Sequence, residues 1–373
     1  MRLGIASTFP PYRGGIASFN AAMAEALRQA GHEVECVTWS RQYPDRLFPG
    51  TSQWEPGKGP GDLSMPAMLD SMSPRSWSKT GEHLAAHADV VVLPFWHAAL
   101  APALAAVARS AKKHGVSQVW ALMHNASSHD GNRLDRTLTR RFLNRMDDVL
   151  TLSAPVSDRL QEHRPHTLFH PLYDHHVSRP RKEEARRQLG LAKGEVVHLF
   201  FGLIRPYKGL RVLLDALAKL PEEHTLVVAG ECYGSWTPYQ DQINALGLQD
   251  RVKIHNEFID EDDVPVFFSA ADFVVLPYVS ASQSGVTALA LHHSVKVIAS
   301  DVGDLANTVV PELTGRLVPP SDAAALAKAM AAPWTSQPAD VQGAFEQVKK
   351  RLSWSAWAGR LTQLVESSAS EAR

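Results

Sequence analysis

The sequence predicts two α/β domains in tandem, each a Rossmann-like parallel sheet covered by helices, facing each other across a cleft. Three observations carry this. Short runs rich in Val, Ile and Leu alternate with longer segments of helical period from the start of the chain. The alternation restarts after a Pro-, His- and charge-rich stretch beginning near residue 173. At 373 residues with 45% hydrophobic and 21% charged content, the chain has room for two domains of ordinary size.

The elements follow in order. "RLGIAS" reads as a buried first strand, and "GIASFNAAMAEALRQAGH" as a helix ended by Gly31. "EVECVTW" is the second strand. Ser40 to about Ser78 is rich in Pro, Gly and Ser and reads as a long loop with short helices. "ADVVVLPF" and "QVWALMHN" are strands around an Ala-rich helix, then come a basic helix "RLDRTLTRRFLNRM" and the strand "DDVLTLS". This gives a first domain over 1–172, a linker over 173–192, and a second domain over 193–350. Its strands are "VVHLFFGLI", "HTLVVAGE", "RVKIHNEF", "ADFVVLPY", "SVKVIAS" and "TGRLVPP", with helices between them. The ending, 351–373, carries Trp354, Trp357, Leu361 and Leu364 at helical spacing and reads as a helix packing back on the first domain.

Composition excludes several classes. The formal net charge of −1 gives no pull toward nucleic acid. The two cysteines, Cys36 and Cys232, stand far apart, which argues against a disulfide framework and for buried thiols in a reducing cytoplasm. The N-terminal stretch lacks the apolar core of a signal peptide, and no apolar run reaches the roughly 18 residues of a membrane span.

In open α/β sheets ligands sit at the carboxyl ends of strands, so the loops there hold the candidates. "GLIRPYKGL" sets Arg205 and Lys208 at a helix mouth, an anion site suited to a pyrophosphate, with Gly202 and Gly209 allowing close backbone approach. Gly14 and Gly15 precede the first helix, where free amides point outward. "MHNASSHD" sets His124 at a strand end, as hydrogen-bond donor or proton carrier, with Asn125, His129 and Asp130 in the same loop. His97 ends another strand. Gly230 lets a ligand lie over its strand end, with Glu231 beside it, and Phe258 and Ile259 offer an apolar edge to a nucleobase. The acidic run Asp260, Glu261, Asp262, Asp263 reads as a helix cap, so no metal is expected there. "SASQSGV" opens a helix with no acid: Ser282, Gln283, Ser284, Gly285 and Val286 supply small hydroxyls and free amides suited to a phosphate.

At these residues the chain resembles the retaining GT-B glycosyltransferases, most closely glycosyltransferase family 4. "FFGLIRPYKGL", "VVAGE", "FSAADFVVLPY", "SQSG", "VIASDVGDLANTV" and "TGRLVPPSD" carry the likeness, with "YRGG" and "MHN" in the first domain. The resemblance implies sugar transfer from a nucleoside-diphosphate sugar to a hydroxyl acceptor, in surface polysaccharide or glycolipid synthesis, with no cofactor and no essential metal. His124, Arg205 and Lys208 take catalytic roles. Gly14, Gly15, Gly202, Gly230, Glu231, Phe258, Ile259 and the 282–286 turn bind the donor, and His97, Asn125 and His129 face the acceptor. The family's usual pair of glutamates around this turn is missing. Their places fall at Ala281 and Leu289, or at Ser282 and Ala290, and Gln283 is a neutral replacement. An inactive sugar-nucleotide-binding relative or an epimerase are the alternatives. The basic helix from Arg133 to Arg145, with its apolar line Leu134, Leu138 and Phe142, offers contact with an anionic membrane, as relatives with lipid-linked acceptors make.

Overall fold

The computed structural model describes residues 1–44, 52–125, 133–172, 179–281 and 284–371. They form two compact units: Met1–Pro171 with Trp354–Arg373, and Leu172–Ser353.

Unit 1 holds the strands β1 (Arg2–Ala6), β2 (Glu33–Arg41), β3 (Ala67–Asp70), β4 (Val90–Phe95), β5 (Gln118–Met123), β6 (Asp148–Thr151) and β7 (His166–Thr167). They pair in parallel in the order β3-β2-β1-β4-β5-β6-β7. The helices are α1 (Gly15–Gln29), α2 (Pro74–His87), α3 (Ala101–Lys113), α4 (Arg133–Leu143) and the short α5 (Ala154–Asp158). One sheet face packs Leu84 of α2, Leu104 of α3 and Phe142 of α4. The other packs Phe19 and Met23 of α1 with Trp354, Trp357 and Leu361 of the C-terminal helix, Trp354–Glu371. Burial of both faces explains why β4 and β5 read as continuous apolar runs.

The segment from Ser40 to Ser78 is not simply a loop. It contains β3 and the start of α2. The α2 face that meets α3 is built from Thr80, Gly81 and Leu84. A Cβ at Gly81 would lie 2.5 Å from Ser110 Cβ and 2.6 Å from the Val107 carbonyl oxygen. The two helices meet at backbone distance, so the contact needs small residues and leaves little apolar periodicity to read. The apolar line on α4 turns inward: Phe142 is fully buried and stacks on Phe95 at 4.7 Å, and Leu138 packs on the core. Only Leu134 of that line is exposed, beside the exposed Arg133, Arg136, Arg140 and Arg141.

Unit 2 begins with α6 (Lys182–Gln188). The described part of the stretch expected to be a linker therefore belongs to this domain. Ala185 is buried, and the Arg186 guanidinium binds Asp272 at 2.6 Å and the Ala270 carbonyl at 3.0 Å. Its strands are β8 (Val196–Phe201), β9 (His224–Ala229), β10 (Val252–His255), β11 (Phe273–Leu276), β12 (Lys296–Ser300) and β13 (Gly315–Val318). The helices are α7 (Leu210–Leu217), α8 (Thr237–Ala245), α9 (Val264–Ala270), α10 (Gly285–His292), α11 (Leu305–Thr308), α12 (Ala323–Ala331) and α13 (Pro338–Arg351). Asp263 stands at the start of α9, but its side chain makes no cap bond and the first turn holds no acid. The expected capping role is thus not realised there. Cys36 is buried, whereas Cys232 is only half-buried, so the second thiol is not a core group.

The second sheet runs β10-β9-β8-β11-β12-β13, all parallel. Strand order reverses at β8, which lies between β9 and β11. That makes the β8–β11 junction the topological switch point, where the loops diverge and leave a crevice at the carboxyl ends. In unit 1 the corresponding reversal falls between β1 and β4.

Candidate active site

The loops after β8 and β11 meet at the unit 2 switch point. β8 passes into Gly202, whose φ of 86° lies in the left-handed region. The chain continues through Arg205 into a single 3-10 turn, Pro206–Lys208, then Gly209 and α7. Gly209 has a φ of 72°, and a Cβ there would lie 1.9 Å from the Pro277 carbonyl oxygen. The backbone amide of Val279 donates to the Tyr207 carbonyl at 2.8 Å. These contacts join the turn carrying Lys208 to the loop after β11.

Lys208 is 8% exposed. A Cβ on Gly202 would sit 3.2 Å from Lys208 Nζ and 3.4 Å from Val286 Cγ2. The ammonium and the first turn of α10 therefore face the same small volume over Gly202, which a side chain there would fill. Lys208 Nζ lies 5.7 Å from the centroid of the Tyr278 ring. The Tyr278 hydroxyl is 3.4 Å from Ser284 Oγ. Ser284 caps α10, its Oγ accepting from the Thr287 amide at 3.3 Å. The amides of Gly285 and Val286 open this helix, with no acid in its first turn.

Burial, and then the charge of Arg205, push the Lys208 ammonium down to about 8. It forms no salt bridge among the described residues. A buried cation without a counter-charge is unfavourable by itself, which suits a site awaiting an anion. Arg205 is half-buried, its guanidinium carbon 4.9 Å over the Tyr233 ring. That stacking fixes the fork without consuming its donors. Tyr233, Tyr207 and Tyr278 are site residues that sequence reasoning missed, since aromatic residues after strands are not distinctive in sequence.

Gly230 has a φ of 143°, and a Cβ there would meet the Gly202 carbonyl oxygen at 2.3 Å. It lets the loops after β8 and β9 touch, and the Ile204 amide donates to the Glu231 carbonyl at 2.9 Å. Phe258 and Ile259 follow β10; both are half-buried, and Ile259 packs against the domain core while part of it stays accessible. Leu289 packs on the same core, and Ala290 is fully buried in it. Ser282 and Gln283 lie outside the described residues, as do His129 and Asp130.

In unit 1, Gly14 is exposed with a φ of 107° at the start of α1, and the first turn carries no acid. His124 ends β5, its amide donating to the Phe95 carbonyl at 2.9 Å. The imidazole is 2% exposed and packs edge-on to Phe19 at 4.8 Å. Burial, helped by His170, pushes it down to about 3, so the resting imidazole is neutral at pH 7. His170 packs on the same Phe19 ring at 5.3 Å and is pushed down to about 4 by burial. It stood in the stretch "HPLYD", which reads as linker entry, and its position shows only once β7 places it beside His124. His97 is exposed, and its Nδ1 accepts the Ala99 amide at 3.1 Å, capping a 3-10 turn. Asn125 is half-buried.

These histidines set an acid limit on stability. His124, His170 and His198 are held at about 3, 4 and 3, mainly by burial. The unfolded chain takes up protons near pH 6.5 while the fold resists them, so stability falls as pH drops below about 6.5. Urea midpoints should already decline between about pH 7 and 5, above the main carboxylate range. A flat midpoint over that window contradicts this.

A family model described as Glycosyltransferase Family 4 matches residues 13–170, and one described as Glycosyl transferases group 1 matches 195–335. The chain belongs to the family 4, group 1 glycosyltransferases. Its switch-point loops, Gly202–Gly209 and the start of α10, lie within the group 1 match. A D-inositol 3-phosphate glycosyltransferase of Mycobacterium marinum is 27% identical over 82% of this chain and 70% of its own length. One from Xylanimonas cellulosilytica is 34% identical over 39% of this chain. The match spans only 36% of that relative's length. Among solved structures, HepE of Anabaena in complex with UDP and glucose aligns with a TM-score of 0.76 at 16% identity, over 98% of this chain and 100% of that one. Sucrose-phosphate synthase from Thermosynechococcus elongatus gives 0.72 at 21%, over 98% and 99%. These likenesses establish the GT-B fold of this glycosyltransferase family member, two Rossmann-like domains in one chain. Among the described residues, no helix is long and apolar enough to cross a membrane.

Proposed function

We propose that the chain transfers a sugar from a nucleoside-diphosphate sugar to a hydroxyl acceptor with retention of configuration, and that unit 2 grips the donor's diphosphate. The observation that carries this is Lys208, a buried ammonium with no salt bridge among the described residues, facing the first turn of α10 at the switch point. Two anionic phosphates there gain a desolvated cation, the Arg205 fork and the amides of Gly285 and Val286. The bond from the anomeric carbon to the phosphate oxygen breaks, and its electron pair leaves on the diphosphate. The acceptor oxygen bonds the anomeric carbon on the same face, and its proton passes to the departing phosphate. Lys208 and Arg205 stabilise the charge that develops on the leaving group. In unit 1 the reading gives Gly14 and Gly15 donor contacts, and has His124 act from its neutral form, as a hydrogen-bonding group or proton acceptor. His97, Asn125 and His129 belong to the acceptor side. The acceptor is a sugar or a lipid-linked hydroxyl compound in surface polysaccharide or glycolipid synthesis. The exposed arginines of α4 would bring the protein to an anionic membrane by charge alone, since Leu138 and Phe142 are committed to the core.

Calorimetric titration with nucleoside diphosphates of each base tests the donor site. Affinity should fall as pH rises through about 8, because Lys208 loses its charge there. Nucleoside and nucleoside monophosphate should bind more weakly by at least about tenfold. Equal affinity for nucleoside and diphosphate would overturn the assignment. The missing glutamates favour a second reading, a sugar-nucleotide-binding relative without turnover. Tight diphosphate binding with no transfer from or hydrolysis of any donor would support it.

A further inference from the structure

We propose that unit 1 carries a binding site for a divalent transition-metal ion of the zinc type, formed by Glu35, His83 and His87. His83 and His87 are four apart on α2, so both rings project from one helix face. Their centroids are 4.5 Å apart with planes at 33°. Glu35 comes from β2, the neighbouring element of the sheet. One donor atom from each of the three lies within 4.8 Å of the others.

The hydrogen bonding prepares the donors. His87 Nδ1 is 2.8 Å from the His83 carbonyl oxygen, which can only accept. The proton is therefore on Nδ1, and Nε2 of His87 presents its lone pair. A backbone acceptor behind a ligating imidazole is the arrangement that fixes tautomer and ring orientation at metal sites. His83 Nε2 lies 2.7 Å from Glu35 Oε1, so the ion-free state holds a proton between two ligand atoms. With bonds of about 2.0 Å, tetrahedral ligands stand roughly 3.3 Å apart, so a zinc ion would replace that proton after this pair opens by well under 1 Å and the His87 donor, within 4.8 Å of the others, closes in. Two imidazoles and one carboxylate leave a fourth position for water, and this donor set favours zinc over magnesium or calcium. Glu35 and His83 are half-buried and His87 is exposed, which gives an ion both a wall and a path.

The position sets the role. Glu35 pairs with Gly4 near the start of β2, and His87 ends α2. This is the amino end of the parallel sheet, opposite the strand ends that carry Gly14, His97 and His124. The ion is a clip between β2 and α2, independent of the proposed sugar transfer.

The test is titration of the full-length, chelator-treated protein with Zn2+ by calorimetry, and with Co2+ by visible absorption. One Zn2+ per chain, a raised Tm and an intense tetrahedral Co2+ spectrum are expected. His87→Gln and Glu35→Gln should each weaken Zn2+ binding by at least about tenfold, and His83→Ala with His87→Ala should abolish the cobalt spectrum. Far-UV circular dichroism checks that each variant is folded, and the exposed His87 provides the variant least able to disturb packing. Zn2+ affinity in the His87→Gln protein equal to that of the unmodified chain would overturn the proposal. So would a thiolate charge-transfer band, which would assign the ion to a cysteine.

Discussion

Lys208→Ala is expected to lower kcat/KM for a nucleoside-diphosphate sugar by about 30- to 1,000-fold, or about 2–4 kcal/mol. Arg205→Ala should fall in the same range, because each removes one cation from a leaving group that gains charge in the transition state. Lys208 adds a second, opposite signature. Its ammonium is 8% exposed, depressed to about 8, and unpaired among the described residues, so in the free protein it opposes folding at pH 7. Lys208→Met keeps the length of the side chain and removes the charge. It should raise the Tm of the free protein while lowering turnover as much as Lys208→Ala does. The two signs together separate a site that stores unfavourable charge for a ligand from a residue that merely packs. Unchanged turnover in both the Lys208 and Arg205 variants would remove the proposed donor site.

Gly209→Ala is expected to destabilise unit 2 by about 3–5 kcal/mol and to lower donor affinity with it. Two causes add. The φ of 72° is left-handed, which strains any L-residue by roughly 1–2 kcal/mol. The new methyl would also lie 1.9 Å from the Pro277 carbonyl oxygen, a backbone atom that cannot rotate away. The turn carrying Lys208 and the loop after β11 would have to separate. Gly247→Ala is the control. Its φ is 66°, but no atom lies within 4 Å of the added Cβ, so it should cost only about 1 kcal/mol. Urea unfolding of both variants measures the difference. Equal losses would show that the close approach to Pro277 does not constrain the site.

The strands of both units were legible because a parallel sheet covered on both faces requires continuous apolar runs such as "VVVL", "HLFF" and "FVVL". The nearness of Lys208 to the acid-free opening of α10 was legible because both follow strands at the switch point of one parallel sheet, where loops converge. What escaped depended on partners distant in sequence. α2 was missed because its contact face uses Thr80 and Gly81 where large apolar residues would have shown a period. α6 was read as linker because its buried contacts are Ala185 and the Arg186–Asp272 pair, not an apolar stripe. His170 and the tyrosines around Lys208 acquire meaning only from their neighbours. The neutrality of His124 likewise follows from burial against Phe19, which no spacing rule reports.

The most direct test of the central claim is a crystal structure of the protein with a bound nucleoside diphosphate. The phosphates should contact Lys208 Nζ, the Arg205 guanidinium and the amides of Gly285 and Val286, above Gly202. Phosphates bound elsewhere on unit 2, with Lys208 still buried and uncontacted, would contradict it.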